Sequence, residues 1–189
     1  SELFCARDHF GIKPFYYYIN DGIFLFASEV KAILGLGTTA KPNNQTIFEY
    51  LNYGYYDNSE NTFFDGIKKL MPGQYGIWKD GRFKIKTYWD LALFSNKERA
   101  FNFSENEVKT KFKNLVADAI KLQFRSDVSV GLNLSGGLDS ACLLFFSELV
   151  TGGKLDLFTG GIKDDRYDEI KILKSILSKN QRSRWQTSI

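Results

Sequence analysis

The residues best suited to chemistry occupy positions 135–140, which read Ser-Gly-Gly-Leu-Asp-Ser. Glycines have no Cβ, so the backbone there can take a positive φ and approach a bulky anion closely. The first N–H groups of a following helix would point at the same place, where oxyanions bind well. Ser135 and Ser140 add hydroxyl donors, and the Asp139 carboxylate is a suitable ligand for a hard cation such as Mg²⁺. The spacing therefore predicts a site for a polyphosphate with Mg²⁺.

A strand and a helix must hold this loop in position. An apolar run over 128–134 stops at Gly136 and Gly137 and restarts as the helix-like segment 141–146. No lysine follows the glycines at the Walker A spacing, so another class of phosphate loop is required. A plain glycine turn with a helix cap would explain the helix start, but not Ser135 or the long apolar strand before it. The pattern favours a nucleotide site.

Composition excludes several classes of protein. The chain has 189 residues, of which 43% are hydrophobic and 25% charged, and these values are typical of a globular protein. No apolar run approaches the roughly 20 residues of a membrane span. The start has no leader-like pattern, so we expect a cytoplasmic location and no membrane association. A net charge of +3 is too small to favour nucleic acid as a partner.

The two cysteines, Cys5 and Cys142, both lie in apolar runs without a second cysteine at metal-binding spacing. We expect two buried free thiols rather than a disulfide or a zinc site.

The first half of the sequence predicts an α+β arrangement. Apolar runs with strand character occupy residues 3–6, 15–19, 23–27, 74–79 and 82–86. Asn20-Asp21-Gly22 and Asp80-Gly81 predict tight hairpin turns, and we expect the first three strands to form an antiparallel meander. Helical spacing covers 28–34, with Ser28 as the cap and Gly35 as the stop, and also 44–53. One face of the second helix carries Ile47, Tyr50 and Leu51.

The second half predicts the start of an α/β domain with a parallel sheet. Periodicity fades over 88–103, so we expect one domain at 1–90, a linker at 91–103 and a second domain at 104–189. A capping box at Ser104 begins a long amphipathic helix that extends to Phe124. The order that follows is strand 129–134, helix 138–150, strand 155–159 and helix 168–178. After Lys179 the sequence is polar and aperiodic, so no further element is expected there.

Family resemblance becomes visible once these motifs are placed. The Ser-Gly-Gly-Leu-Asp-Ser loop after a buried strand resembles the pyrophosphate loop of the ATP pyrophosphatases, which adenylate a carboxyl or carbonyl oxygen. Residues 6–17, 26–33 and 67–75 resemble the last part of the glutaminase domain of glutamine-hydrolysing asparagine synthetases. The order of the motifs also matches this family over nearly the whole chain.

The resemblance implies a class II glutaminase joined to a synthetase that uses ATP and Mg²⁺ to adenylate aspartate before ammonia attacks. It places the pyrophosphate on Ser135, Gly136, Gly137, Asp139 and Ser140, with Asp139 also at the metal. It places Leu134 against the adenine and gives Gly160 a backbone contact with the nucleotide. It also allows a homodimer.

The resemblance assigns no catalytic residue to this chain. The family's nucleophilic cysteine should lie upstream, so Cys5 is expected to be a core residue and His9 to have a structural role. Asp168 and Glu169 are expected to act on the dipole of the following helix rather than on a metal. The family's second adenylation loop is absent, and a truncated reading frame would explain that.

Three alternatives to an aspartate-specific synthetase remain open at this stage. An inactive remnant would fit the missing nucleophile and second loop. An amidotransferase acting on another carboxylate would use the same loop. An RNA-modifying enzyme with this loop is disfavoured, because the chain has no dense basic patch and no cysteine pair for sulfur transfer.

Overall fold

The computed structural model describes residues 2–95, 103–153, 155–162, 164, 168–177 and 184–188. The chain divides into two compact units, Ser1–Arg99 and Ala100–Ile189. The division falls within the predicted linker, and the domain bounds 1–90 and 104–189 stay predictions.

The first unit contains six strands and three helices within the described residues. They are β1 (Glu2–Ala6), β2 (Tyr16–Asn20), β3 (Ile23–Ala27), α1 (Val30–Leu34), α2 (Asn44–Tyr53), β4 (Ile67–Lys69), β5 (Gln74–Lys79), β6 (Arg82–Thr87) and α3 (Leu91–Ser95). The strands form two three-stranded sheets, in the orders β1-β5-β6 and β3-β2-β4. All the strand pairs in these two sheets are antiparallel.

The predicted meander of the first three strands is wrong, because β1 pairs with β5 rather than with β2. The loop after β1 is closed by Arg7, whose guanidinium donates to the carbonyls of Lys13 at 3.0 Å, Leu70 at 2.7 Å and Gly11 at 2.9 Å. The Arg7 N–H also donates to Gln74 O at 2.9 Å, which extends the contact with β5. The Arg7 side chain thus satisfies two carbonyls of its own loop and joins that loop to the distant Leu70.

Both predicted hairpin turns are confirmed. Asp21 and Asp80 have φ values of 46° and 49°, and each is followed by a glycine that also has a positive φ. A two-residue turn with φ > 0 at both positions is the type I′ geometry that matches the twist of paired strands. Short-range turn chemistry therefore fixes the β2–β3 and β5–β6 pairs.

The helices of the first unit differ in detail from their predictions. α1 begins at Val30 with Glu29 as N-cap and without a side-chain cap, so Ser28 is not the cap. In α2 the Asn43 side chain accepts a hydrogen bond from Thr46 N at 3.2 Å. Thr46 is the buried residue of α2, whereas Leu51 of the predicted apolar face is 75% exposed.

The predicted linker contains a helix, α3, although its sequence lacks periodicity. The Asp90 carboxylate accepts a hydrogen bond from Ala92 N at 2.8 Å and satisfies an N–H group of the first turn. Local capping at a single residue thus gives a helical turn that apolar spacing does not reveal.

The second unit contains three helices and three strands within the described residues. They are α4 (Glu105–Gln123), β7 (Gly131–Asn133), α5 (Leu138–Thr151), β8 (Asp156–Gly160), α6 (Ile170–Leu177) and β9 (Arg184–Ser188). The strands form a parallel sheet in the order β7-β8-β9. The predicted order from the first strand to α6 is confirmed, and the capping box at Ser104 and Glu107 is present.

The prediction that no element follows Lys179 is wrong, because β9 adds a third parallel strand beside β8. Its register aligns Trp185 with Leu157 and Thr187 with Thr159. The tail is too polar for its strand character to be read locally, and pairing with an existing strand supplies the backbone hydrogen bonds that order it.

The core of the second unit lies around the sheet. It is a cluster of five buried leucines, Leu134, Leu144, Leu155, Leu157 and Leu173. In α4, by contrast, Ile120 is buried while Leu115 of the predicted apolar face is 62% exposed. The core therefore packs around the residues that lead into the predicted phosphate loop.

Gly73 offers a test of the first unit. It has a φ of +68°, and a Cβ there would overlap the backbone carbonyl oxygen of Trp89. Gly22 has a φ of +76° with open space around it, so it is a matched control. We expect Gly22→Ala to lower the free energy of unfolding by about 1 kcal/mol and Gly73→Ala by about 3 kcal/mol or more. Urea denaturation measures both, and equal losses would contradict the close approach to Trp89.

Candidate functional site

The loop formed by residues 135–140, called the phosphate loop below, lies at the carboxyl edge of the parallel sheet. It begins directly after Leu134, whose N–H donates to Phe158 O of β8 at 2.8 Å. Gly160 ends β8. Because parallel strands end at the same edge of their sheet, both segments predicted to contact a nucleotide lie at the edge where α/β proteins bind ligands.

The phosphate loop is closed by the Ser140 hydroxyl. The Oγ atom of Ser140 donates to Ser135 O at 2.7 Å and lies 3.0 Å from Gly137 O. It also accepts from Ser135 N at 3.3 Å and lies 2.9 Å from Ser135 Oγ. A hydroxyl has one hydrogen and two lone pairs. With its hydrogen on Ser135 O, Ser140 accepts from both the N–H and the hydroxyl of Ser135 and is saturated.

The two glycines of the phosphate loop differ from the prediction. Gly137 has φ −82° and ψ 161°, and neither Gly136 nor Gly137 is among the glycines with positive φ. Gly137 is the N-cap of α5, a position that takes an extended conformation, so the turn needs no left-handed residue. The expectation of φ > 0 at this loop is wrong. An added Cβ would lie 3.4 Å from Ser135 Oγ at Gly137, and 3.6 Å or more from α6 atoms at Gly136.

The start of α5 has no side-chain cap, since its N-cap residue is Gly137. In the same unit, α4 has a full capping box at Ser104. The first-turn N–H groups of α5 are therefore available to an anion, which the helix dipole favours. Asp139 lies in this first turn and is exposed.

The Asp139 carboxylate makes no hydrogen bond or ion pair with other described residues. An exposed carboxylate oxygen beside free N–H groups fits a hard cation that bridges to phosphate oxygens. Within the described ranges, no group of three or more His, Cys, Asp or Glu side chains is arranged to hold a metal by itself. A cation here would therefore need phosphate oxygens and water as its further ligands.

Leu134 and Gly160 lie beside the loop in different ways. The Leu134 side chain is 4% exposed and belongs to the leucine core. It also lines a cavity of about 190 Å³, together with Ser135, Ala141, Leu144, Phe145, Glu148 and Leu173. Among the described residues, apart from its two chain neighbours, nothing lies within 4 Å of the position of a Gly160 Cβ. The adenine contact of Leu134 and the nucleotide contact of Gly160 stay predictions.

Two residues that support the base of the loop, one directly and one through the other, are absent from the sequence prediction. The Thr159 hydroxyl donates to Leu134 O at 2.9 Å, and the Trp185 indole N–H donates to Thr159 Oγ1 at 3.0 Å. Trp185 also packs against the leucine core. These residues are 25 and 26 positions from their partners, so no local pattern reveals them.

The acidic pair before α6 lies close to the loop. The Asp168 carboxylate accepts a hydrogen bond from Ile170 N at 3.1 Å, which fits its predicted role at the helix start. The Cβ of Glu169 is 3.7 Å from the position of an added Cβ at Gly136. The first turn of α6 therefore packs beside the first glycine of the phosphate loop.

The two cysteines have opposite environments. Cys5 is a free thiol with 6% exposure in β1, and burial raises its pKa, which confirms its prediction as a core residue. Cys142 is also a free thiol but is exposed, so its predicted burial is wrong. The α5 sequence is apolar on several faces, and Phe145 and Leu149 on this helix are exposed as well. An all-round apolar pattern does not tell which face is covered.

His9 packs between aromatic rings. Its ring centroid lies 5.4 Å from that of Tyr88 and 5.1 Å from that of Trp89, both with edge-on geometry. This packing supports the predicted structural role of His9.

Known families match both halves of the chain. Residues 1–89 match the family described as Glutamine amidotransferase domain. Residues 111–184 match the family described as Asparagine synthase. The first unit thus carries a glutamine amidotransferase domain, and the second carries an asparagine synthase domain.

Three similar proteins align with most of the chain. The chain is 33% identical over 185 residues to a Methanocaldococcus jannaschii protein provisionally named asparagine synthetase [glutamine-hydrolyzing] 2. This alignment covers 93% of this chain and 34% of that protein. It is 30% identical over 174 residues to asparagine synthetase [glutamine-hydrolyzing] 1 of Bacillus subtilis, over 91% of this chain and 26% of that protein. It is 32% identical over 162 residues to amidase chyE of Penicillium rubens, over 85% of this chain and 22% of that protein.

Both halves of the chain match the families that its motifs predicted, and most of its length is similar to glutamine-hydrolysing asparagine synthetases. The chain spans between 22% and 34% of the length of these three relatives. Across the described parts of the chain, no helix has the length and apolar character needed to cross a membrane.

Thiol labelling tests the two cysteine environments. Alkylation by iodoacetamide requires an accessible thiolate, and both burial and a raised pKa lower the thiolate available at Cys5. At pH 8 we expect Cys142 to react at least about tenfold faster than Cys5 in the native chain. In urea the two rates should converge.

Mass spectrometry of tryptic peptides gives the two rates separately. The Cys142→Ser variant should lose the fast reaction and keep the slow one. Rapid native labelling of Cys5 would contradict its place in the core of the first unit.

Proposed function

We propose that this chain is part of an ATP-dependent, glutamine-hydrolysing asparagine synthetase in which the phosphate loop binds the phosphates of ATP together with Mg²⁺. The observation that carries the proposal is the uncapped start of α5 beside the closed Ser135–Ser140 loop at the carboxyl edge of a parallel sheet. The sheet and loop support an ATP-pyrophosphatase fold for the second unit. Residues 1–90 would form the end of the glutaminase domain, and residues 104–189 the start of the synthetase domain.

The two serines of the loop would have different roles. Ser140 holds the loop closed by donating its single hydrogen to Ser135 O, so that hydrogen is already engaged. The Ser135 hydroxyl is exposed and can turn its hydrogen from Ser140 to a phosphate oxygen without breaking the bond from Ser140 to the Ser135 carbonyl. The N–H groups at the start of α5 would supply the other donors.

Asp139 would hold Mg²⁺ against the phosphates. Mg²⁺ usually binds through one or two carboxylates plus phosphate oxygens and water, and this pattern needs only one protein ligand here. When bound, the ion would neutralise phosphate charge. Leu134 would lie near the adenine through its backbone or the cavity it lines, and Gly160 would offer open space and backbone groups to the nucleotide.

The whole protein's chemistry follows from the family. One side-chain oxygen of aspartate would bond to the α-phosphorus of ATP as pyrophosphate leaves, and ammonia from glutamine would then displace AMP to give the amide. Cys5 takes no part in this scheme, because a buried thiol with a raised pKa in the middle of a strand is a poor nucleophile.

An amidotransferase acting on another carboxylate is a second candidate. Besides amidase chyE, the chain is 31% identical over 142 residues to amidase chry2 of Gibberella zeae. The phosphate loop would serve either acceptor, since it would contact only the nucleotide. Assays of the whole protein with aspartate and with other carboxylic acids would separate the two.

Calorimetry with ATP and with pyrophosphate, each in Mg²⁺ and in EDTA, tests the proposed loop. We expect weak binding, because the α5 start is open to water, where each charge-assisted hydrogen bond contributes less. Mg²⁺ should strengthen binding by at least about tenfold in the wild-type chain. Asp139→Asn should remove this gain, and Asp118→Asn, an exposed aspartate on α4, is the control that should not.

Gly137→Val tests the position of the phosphates. The variant should fold, because an added Cβ would make an ordinary contact at 3.4 Å and the backbone is extended there. Its methyl groups would crowd Ser135 Oγ and the α5 start, so binding should be lost while circular dichroism is unchanged. Equal binding by wild type and Gly137→Val, or no binding by the wild-type chain, would contradict the proposed function.

A further inference from the structure

We propose that Thr159 and Trp185 are positioning residues that set the orientation of the phosphate loop. The inference rests on the proposed function, because it names what holds the proposed nucleotide site in shape. The Thr159 hydroxyl bonds to the carbonyl of Leu134, the residue immediately before the loop. Trp185 bonds in turn to that hydroxyl from the neighbouring strand.

The direction of these bonds is fixed by chemistry. An indole N–H only donates and a backbone carbonyl only accepts, so the single hydrogen of Thr159 must point at Leu134 O while its oxygen accepts from Trp185. Thr159 is 5% exposed, so little water competes for either bond. Donation by Trp185 polarises the hydroxyl and strengthens the bond that it gives to Leu134.

The carbonyl held by Thr159 belongs to the peptide unit that opens the phosphate loop. A peptide unit is planar, so the Leu134 carbonyl and the Ser135 N–H lie in one plane and point in opposite directions. That N–H donates to Ser140 Oγ at 3.3 Å. Holding the carbonyl therefore also aims the N–H at the hydroxyl that closes the loop.

The sheet places the pair where it can act. In the parallel register, Trp185 of β9 lies beside Leu157 of β8, and Thr159 is two residues further along the same face. Leu157 is fully buried, and Trp185 packs on the same leucine cluster. β9 thus reaches the phosphate loop through one side chain, although β8 lies between β9 and β7.

A purely structural pair of polar groups would stabilise the second unit as a whole, whereas a positioning pair acts locally on the loop. Thr159→Val removes the hydroxyl at nearly constant side-chain volume, whereas Thr159→Ser keeps the hydroxyl and removes only the methyl group. Trp185→Phe removes the donor and keeps a ring in the core. Thr151→Val is the matched control, because Thr151 Oγ1 also donates to a carbonyl, Ser147 O at 2.8 Å, but at the far end of α5.

The first measurement needs no ligand. Amide hydrogen exchange should rise about tenfold at Ser135 and Gly137, whose N–H groups are hydrogen-bonded within the loop, in Thr159→Val. It should stay at the wild-type rate there in Thr159→Ser and Thr151→Val. In nitrogen-15 NMR spectra, the chain has three tryptophans and so three indole signals. The signal lost in Trp185→Phe should shift in Thr159→Val and also when MgATP is added to the wild-type chain.

The second measurement is MgATP affinity. We expect Thr159→Val to weaken binding about tenfold and Trp185→Phe about threefold, with Thr159→Ser within about twofold of wild type. Loop exchange that is unchanged in Thr159→Val, or raised equally across the whole second unit, would overturn the positioning role. If the wild-type chain fails to bind MgATP, the proposed function fails, and the exchange data still decide for or against the Thr159–Trp185 pair.

Discussion

The Ser140 hydroxyl is the group on which the shape of the phosphate loop depends. It donates to the Ser135 carbonyl and accepts from Ser135 N, so it joins the last residue of the loop to the first. Because both ends are fixed, the turn passes through two glycines without a positive φ at either of them. The uncapped start of α5 follows directly from this closed turn.

Support for that hydroxyl comes from the sheet. Phe158 O accepts from Leu134 N, and the Thr159 hydroxyl donates to Leu134 O. Both backbone polar groups of Leu134 are therefore hydrogen-bonded to β8. Beneath them, the leucine cluster fills the space between sheet and helices. The buried leucines exclude water from the hydrogen bonds of Leu134, and hydrogen bonds away from water are stronger. The exposed phosphate loop is therefore held rigid from its buried side.

Local chemistry explains which features could be predicted from the sequence. The hairpin turns at Asp21 and Asp80, the capping box at Ser104 and the strand–loop–helix order around Ser135 each depend on residues within a few positions of one another. The family followed from the same local motifs. Features set by distant partners were missed or wrong, including the β1–β5 pair, the strand that contains Trp185 and the exposure of Cys142.

The backbone conformation of Gly136 and Gly137 also could not be predicted from their residue types alone. The pattern Gly136-Gly137 permits a positive φ but does not require it, and the helix start that follows selects the extended N-cap conformation instead. The consequence for binding is favourable. A loop already closed by its own serines needs little reordering when an anion arrives, so less conformational entropy is lost on binding. In the proposed function, a bound phosphate would give the uncapped N–H groups of α5 the acceptor that a capping side chain supplies in α4.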